Sequence, residues 1–178
     1  MSNTPLTRHH PLLVSLHWLT VLLVFAAFGL GKLMSGQPNE TTKIPLLAAH
    51  MALGLVTLVV IIGRFVARMR LPRPAHASTG NALLDKLGEV VHYALYLLVL
   101  LMSISGMSLS MQAGLPPIVF GGSGTALSAD FYVFSARLLH GFVAPALLLL
   151  VLLHVGAAFY HQLVLKDNLL ARMGYGKS

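Results

Sequence analysis

The stretch that decides the fold is "RLLHGFVAPALLLLVLLHVGAAFYH", residues 137–161. It is apolar enough to sit in lipid, yet it carries His140, His154 and His161, spaced by fourteen and then seven residues. On a helix turning about 100° and rising about 1.5 Å per residue, His140 and His154 differ by only about 40° in direction and lie about 21 Å apart. They face one way at two depths. An ionisable side chain in a bilayer is costly, turns to the bundle interior and by default marks a functional site. Partners for the two imidazoles must therefore come from other helices at matching depths.

The rest of the chain supplies such helices. Of 178 residues, 56% are hydrophobic and 10% charged, with a mean hydropathy of +0.79. A soluble domain carries roughly 25% charged residues, so this composition calls for lipid as solvent. Four apolar stretches, near 11–33, 46–68, 89–111 and 138–166, are each long enough to cross a hydrocarbon core about 30 Å thick. The expected fold is all-α, an integral-membrane four-helix bundle, with no second domain. The first stretch is too long for a secretory signal, and no small-residue cleavage site precedes "KLMSGQPNETTK", residues 32–43. The third connection, "QAGLPPIVFGGSGTALSADFYVFSA" (112–136), is long and rather apolar. It is expected to lie as a cap on one face, since loops of that length are usually functional or mobile.

The net charge of +7 is explained by topology rather than by nucleic acid. Arg8, Arg64, Arg68, Arg70, Arg73, Lys86, Lys166, Arg172 and Lys177 fall on one side of the four-span arrangement, and only Lys32, Lys43 and Arg137 on the other. That asymmetry places both termini in the cytoplasm. With no cysteine, disulfides, thiolate metal sites, Fe–S clusters and thioether-linked haem are excluded. Any metal is held by imidazole, thioether or carboxylate.

His9, His10 and His76 lie in flanking or loop positions and read as solvated. Depth pairs the others. His50 lies five residues after Pro45 near one end of span two, and His140 three after Arg137 near the same end of span four. His17, six residues into "PLLVSLHW", matches His154 at the other level. Two stacked bis-imidazole sites result, as two b-type haems require, each iron taking one nitrogen from either side. Zinc fits worse, because three or four ligands do not cluster at one level. His92, at about the depth of His17, is a rival ligand that spacing alone leaves open. Arg64 follows His50 by fourteen residues and is placed to meet a haem propionate. Gly29, Gly31, Gly54 and Gly141 would give a flat macrocycle room.

These segments resemble the bacterial cytochrome b561 family. "SLHW" (15–18), "HMALG…GRFVAR" (50–68), "HYALYLL" (92–98) and "LHG…LLHVGAAFYHQLVLKDNLLARM" (139–173) carry the resemblance over nearly the whole chain. It implies a multi-pass protein of the bacterial inner membrane with two haem b groups. His17 and His154 would ligate the iron nearer the cytoplasm, and His50 and His140 the outer one, which settles the rivalry with His92. It also implies a quinone site, ubiquinone being the acceptor, with His161 and Lys166 as candidate residues.

The function expected on these grounds is electron transfer between the periplasmic face and membrane quinone. The resemblance points to small stand-alone members that oxidise superoxide, for which Lys32, Lys43 and Arg137 would attract the anion. A different class is an electron-transfer subunit serving a periplasmic redox donor, such as a dehydrogenase or hydrogenase-type complex. A third is a non-redox transporter or channel, which a visible spectrum of the purified protein excludes or establishes.

Overall fold

A computed structural model describes residues 8–37, 40–75 and 77–174; His76 and Lys177 lie outside them. The long helices are α1 (Pro11–Ser35), α2 (Glu40–Arg70), α3 (Ala82–Gln112) and α5 (Ser135–Tyr160), with a short α4 (Leu115–Val119) between the last two. Four helical segments, 11–35, 41–70, 82–112 and 135–165, are long and apolar enough to cross a membrane. Helix α1 packs on α2, α2 on α3, and α3 on α5.

The helices run past the expected spans for local reasons. Asn81 caps α3, its side-chain oxygen accepting from the backbone N–H of Leu83 and Leu84. The helix therefore starts seven residues before Glu89, in a polar turn that a hydropathy count leaves out. Pro45 lies inside α2, close to its start, instead of preceding it. At α1, Pro11 occupies the first helical position, where its missing N–H costs nothing. His10 is the cap, its Nδ1 accepting from Leu12 N–H, so this exposed histidine has a structural task.

Few side chains are buried, and many large apolar ones point outwards, including Phe142 at 75% exposure and Leu22 at 66%. Lipid is the solvent for that surface. The interior is two small clusters. Ile61, Val99 and Leu147 join α2, α3 and α5 at mid-depth. Leu47, Leu115 and Leu127 lock the 112–136 connection onto one end of α2, so this loop is a cap built around α4. Buried Thr20 and Thr57 donate to the carbonyls of Leu16 and Leu53, four residues back on their own helices.

The capped end is called the loop end below. At the opposite, terminal end the start of α1 meets residues 172–173. His9 N–H donates to Arg172 O, Trp18 Nε1–H to Met173 O, and the Arg172 guanidinium to Ala75 O in the α2–α3 loop. His9 is consequently half-buried rather than solvated. Burial, with Arg68, Arg172 and Arg73 nearby, lowers its pKa below the ordinary 6.5.

Candidate functional site

At the loop end, His50 of α2 faces His140 of α5, ring centroids 6.1 Å apart. Both rings are anchored through Nδ1. His50 Nδ1 lies 2.8 Å from Ala27 O on α1; a carbonyl only accepts, so Nδ1 carries the proton and Nε2 is left as the lone pair. His140 Nδ1 lies 3.1 Å from Ser105 Oγ. That hydroxyl already gives its proton to Met102 O, so it too accepts from the imidazole. Such second partners fix the tautomer and raise the basicity of the other nitrogen.

Two glycines make room for the rings. A Cβ on Gly106 would stand 3.0 Å from His140 Cε1, and one on Gly31 3.3 Å from His50 Cε1. Gly54 lines an apolar cavity of about 360 Å³ that reaches from Val24 to Phe120 and is walled by both histidines. A Cβ on Gly141 would meet the tip of the Arg137 side chain at 2.8 Å, a contact that the arginine can relieve by moving. Arg137 itself lies over the Tyr132 ring, 4.8 Å from its centroid.

At the terminal end, His17 of α1 faces His154 of α5 at 6.4 Å, and His92 of α3 approaches the same His154 at 5.1 Å. Two imidazoles ligating one metal from opposite sides at about 2.0–2.1 Å would have ring centroids roughly 6–6.5 Å apart. The 6.1 and 6.4 Å pairs meet that spacing, and the 5.1 Å contact is too close for it. His92 Nδ1–H instead donates to Gly88 O, one turn back on its own helix. Among the described residues, His17 Nδ1 is a buried polar atom without a hydrogen-bond partner.

A family model described as prokaryotic cytochrome b561 matches residues 8–176. The chain belongs to that family. It is 30% identical to cytochrome b561 homolog 2 of Escherichia coli (strain K12), over 99% of this chain and 95% of the relative. Similarity extends to cytochrome b562 of Cereibacter sphaeroides, 32% identical over 90% of each chain. The probable superoxide oxidase CybB of Yersinia pestis is 29% identical, over 93% of this chain and 95% of the relative. As a cytochrome b561 the protein is a membrane-embedded, haem b-binding electron-transfer protein.

The remaining expected residues cluster around the terminal end. Arg64 lies over Tyr96, 5.2 Å from its centroid, and Arg68 over Tyr93 at 5.7 Å. This ladder puts two guanidiniums on successive turns of α2, and Arg68 Nε is buried without a partner among the described residues. His161 opens a π-helical turn, 161–165, and its Nδ1 lies 2.6 Å from Asp167 Oδ2. Lys166 is exposed and follows that turn in the left-handed region, φ 55°. Ser105, Gly106, Arg68 and Asp167 are additions to the residues read from sequence. Only the small-residue run "SISG", 103–106, offered a signal for any of them.

Proposed function

We propose that this protein is a di-haem b cytochrome that takes single electrons at its loop end and delivers them to membrane quinone at its terminal end, with superoxide as the donor. The observation that carries this reading is the pair of imidazole couples at metal-bridging spacing, 6.1 and 6.4 Å, at two levels of one bundle. His50 and His140 would hold one iron, and His17 and His154 the other. A haem held by two of these imidazoles would supply single-electron transfer and offer no open site for oxygen chemistry.

The chain's own residues do the rest. Ala27 O and Ser105 Oγ fix the Nδ1 protons of His50 and His140, so that each presents Nε2. Gly31 and Gly106 let the edges of those rings come close to α1 and α3. At the terminal end, Arg64 offers a guanidinium to a propionate, kept in place by the Tyr96 face. His161 and Lys166 stand at the same end, where a quinone head group would meet protons from the cytoplasm. The cation asymmetry supports termini in the cytoplasm of a bacterium and insertion in its inner membrane.

Superoxide as donor rests on the relative named for that activity and on Lys32, Lys43 and Arg137 at the loop end, which would steer a small anion. Two superoxide anions release two electrons and leave two dioxygen molecules. One quinone takes both electrons and two protons to become the quinol.

The test uses the purified full chain. A pyridine haemochrome assay is expected to give two haems per chain, and stopped-flow mixing with superoxide to give consumption that accelerates when a short-chain ubiquinone is present. A colourless preparation would overturn the cytochrome reading. Haem that superoxide leaves oxidised, but a co-purifying dehydrogenase reduces, would make the protein an electron-transfer subunit instead.

A further inference from the structure

Where α5 ends, the backbone leaves regular helix in several ways in close succession. Residues 161–165 form a π-helical turn, a rare form that is frequent at functional sites. Lys166 and Asn168 then both adopt left-handed backbone, each at φ 55°. For a non-glycine residue this costs on the order of 1 kcal/mol or more, and Lys has none of Asn's aptitude for it. Between these two residues stands Asp167, turned back onto His161.

The Asp167 carboxylate divides its oxygens. Oδ1 accepts from Leu169 N–H at 3.1 Å and so starts the closing 3₁₀ turn, 169–173. Oδ2 accepts from His161 Nδ1–H at 2.6 Å. The first task needs no charge, since an asparagine caps as well as an aspartate. The second is sheltered: the two side chains are only 12% and 23% exposed. Withdrawing a carboxylate from water to meet an imidazole is costly, and a turn alone gives no reason for it.

We infer that Asp167 is the positioning residue of the quinone site, holding the Nδ1 proton of His161 so that Nε2 is directed at a quinone carbonyl oxygen as proton donor. This rests on the quinone reading above and deepens it. Reduction of a quinone takes two electrons, arriving from the donor at the loop end, and two protons. For one of these, the His161 Nε2–H bond breaks and an O–H bond forms on the quinone. The ring is left neutral, with Nδ1–H still donated to Asp167. Water at the terminal end returns the proton to Nε2.

Asp167→Asn tests the pair, because the amide oxygen still caps Leu169 while the charge is gone. Haem content and visible spectrum serve as the folding control. With a short-chain ubiquinone as acceptor, kcat is expected to fall about tenfold or more, the usual loss when a partner of a proton-transferring group is removed, while KM stays within about twofold. The ¹⁵N spectrum of histidine-labelled protein is expected to show Nδ1–H at His161 in the parent chain and a mixture of tautomers in Asp167→Asn. Parent-like kcat together with an unchanged tautomer in the variant overturns the inference. If the parent chain itself fails to reduce the quinone, the quinone reading falls, and Asp167 is then a structural clasp only.

Discussion

The two imidazole pairs are alike in spacing and unlike in support. At the loop end each ring has a fixed acceptor behind it, Ala27 O for His50 and Ser105 Oγ for His140, and a glycine against its edge. The walls are apolar and the end is capped by Leu115 and Leu127. At the terminal end His17 Nδ1 is buried with no partner among the described residues, a third imidazole crowds His154, and two arginines stand on tyrosine rings. The loop end is organised by the protein alone. The terminal end instead gathers two guanidiniums beside three imidazoles.

The sharpest way to break this contrast is to delete ligands. His50→Ala or His140→Ala is expected to remove one haem of two, and His17→Ala or His154→Ala the other, in a pyridine haemochrome count. His92→Ala should keep both. Loss of a haem in His92→Ala with none lost in His17→Ala would reassign the terminal pair.

Filling a glycine comes next. Gly106→Val places a branched side chain where even a Cβ stands 3.0 Å from His140, an overpacking of about 1–3 kcal/mol. Depletion confined to the loop-end haem is the expected result, read from the low-temperature α-band. Equal depletion of both haems would mean that the bundle as a whole had loosened.

A finer change is Ser105→Ala. His140 Nδ1 then loses its acceptor, so haem affinity should fall about tenfold, the low end of the usual loss for second partners. A downward or upward shift of the loop-end potential alone, in a redox titration, would place the effect on His140. Thr57→Ala, which removes a hydroxyl bonded only to its own helix, should leave that potential unmoved.

The smallest expected effect is at His9. Its pKa is lowered in the folded chain, so the undocked chain takes up a proton first as pH falls. The contribution of His9 to docking the terminal segment is therefore complete above about pH 6.5 and declines below it. Amide exchange at residues 169–174 is expected to quicken on acidification beyond the intrinsic rate change, and His9→Gln should abolish the excess. No excess in the parent chain would leave His9 as a bystander.

Much of this was legible in the chain. The spans follow from hydropathy, and the pairing of His50 with His140 from depth and the fourteen-residue step on α5. What stayed hidden depends on tertiary neighbours. Gly106 and Ser105 matter because α3 passes behind the His140 ring, which no spacing on α3 alone reveals. His9 looks like a surface residue until the chain's end folds back over it. Asp167 reads as a polar residue after a span, because the π-helical turn and two left-handed residues that aim it at His161 have no sequence signature. Depth alone leaves the choice between His17 and His92 open, because the relevant quantity is the ring spacing to His154, 6.4 Å against 5.1 Å, which depends on how three helices pack.

One feature of the bundle bears on its biogenesis. Each pair takes one imidazole from α5, which follows α1, α2 and α3 in the chain and so is made after the helices that carry its partners. On the proposed ligand set, a nascent chain with only α1, α2 and α3 inserted offers half-sites, and haem capture waits for α5. Cells starved of iron should then accumulate apoprotein, and proteolytic trimming is expected to begin in α5, the helix that would supply a ligand to each haem.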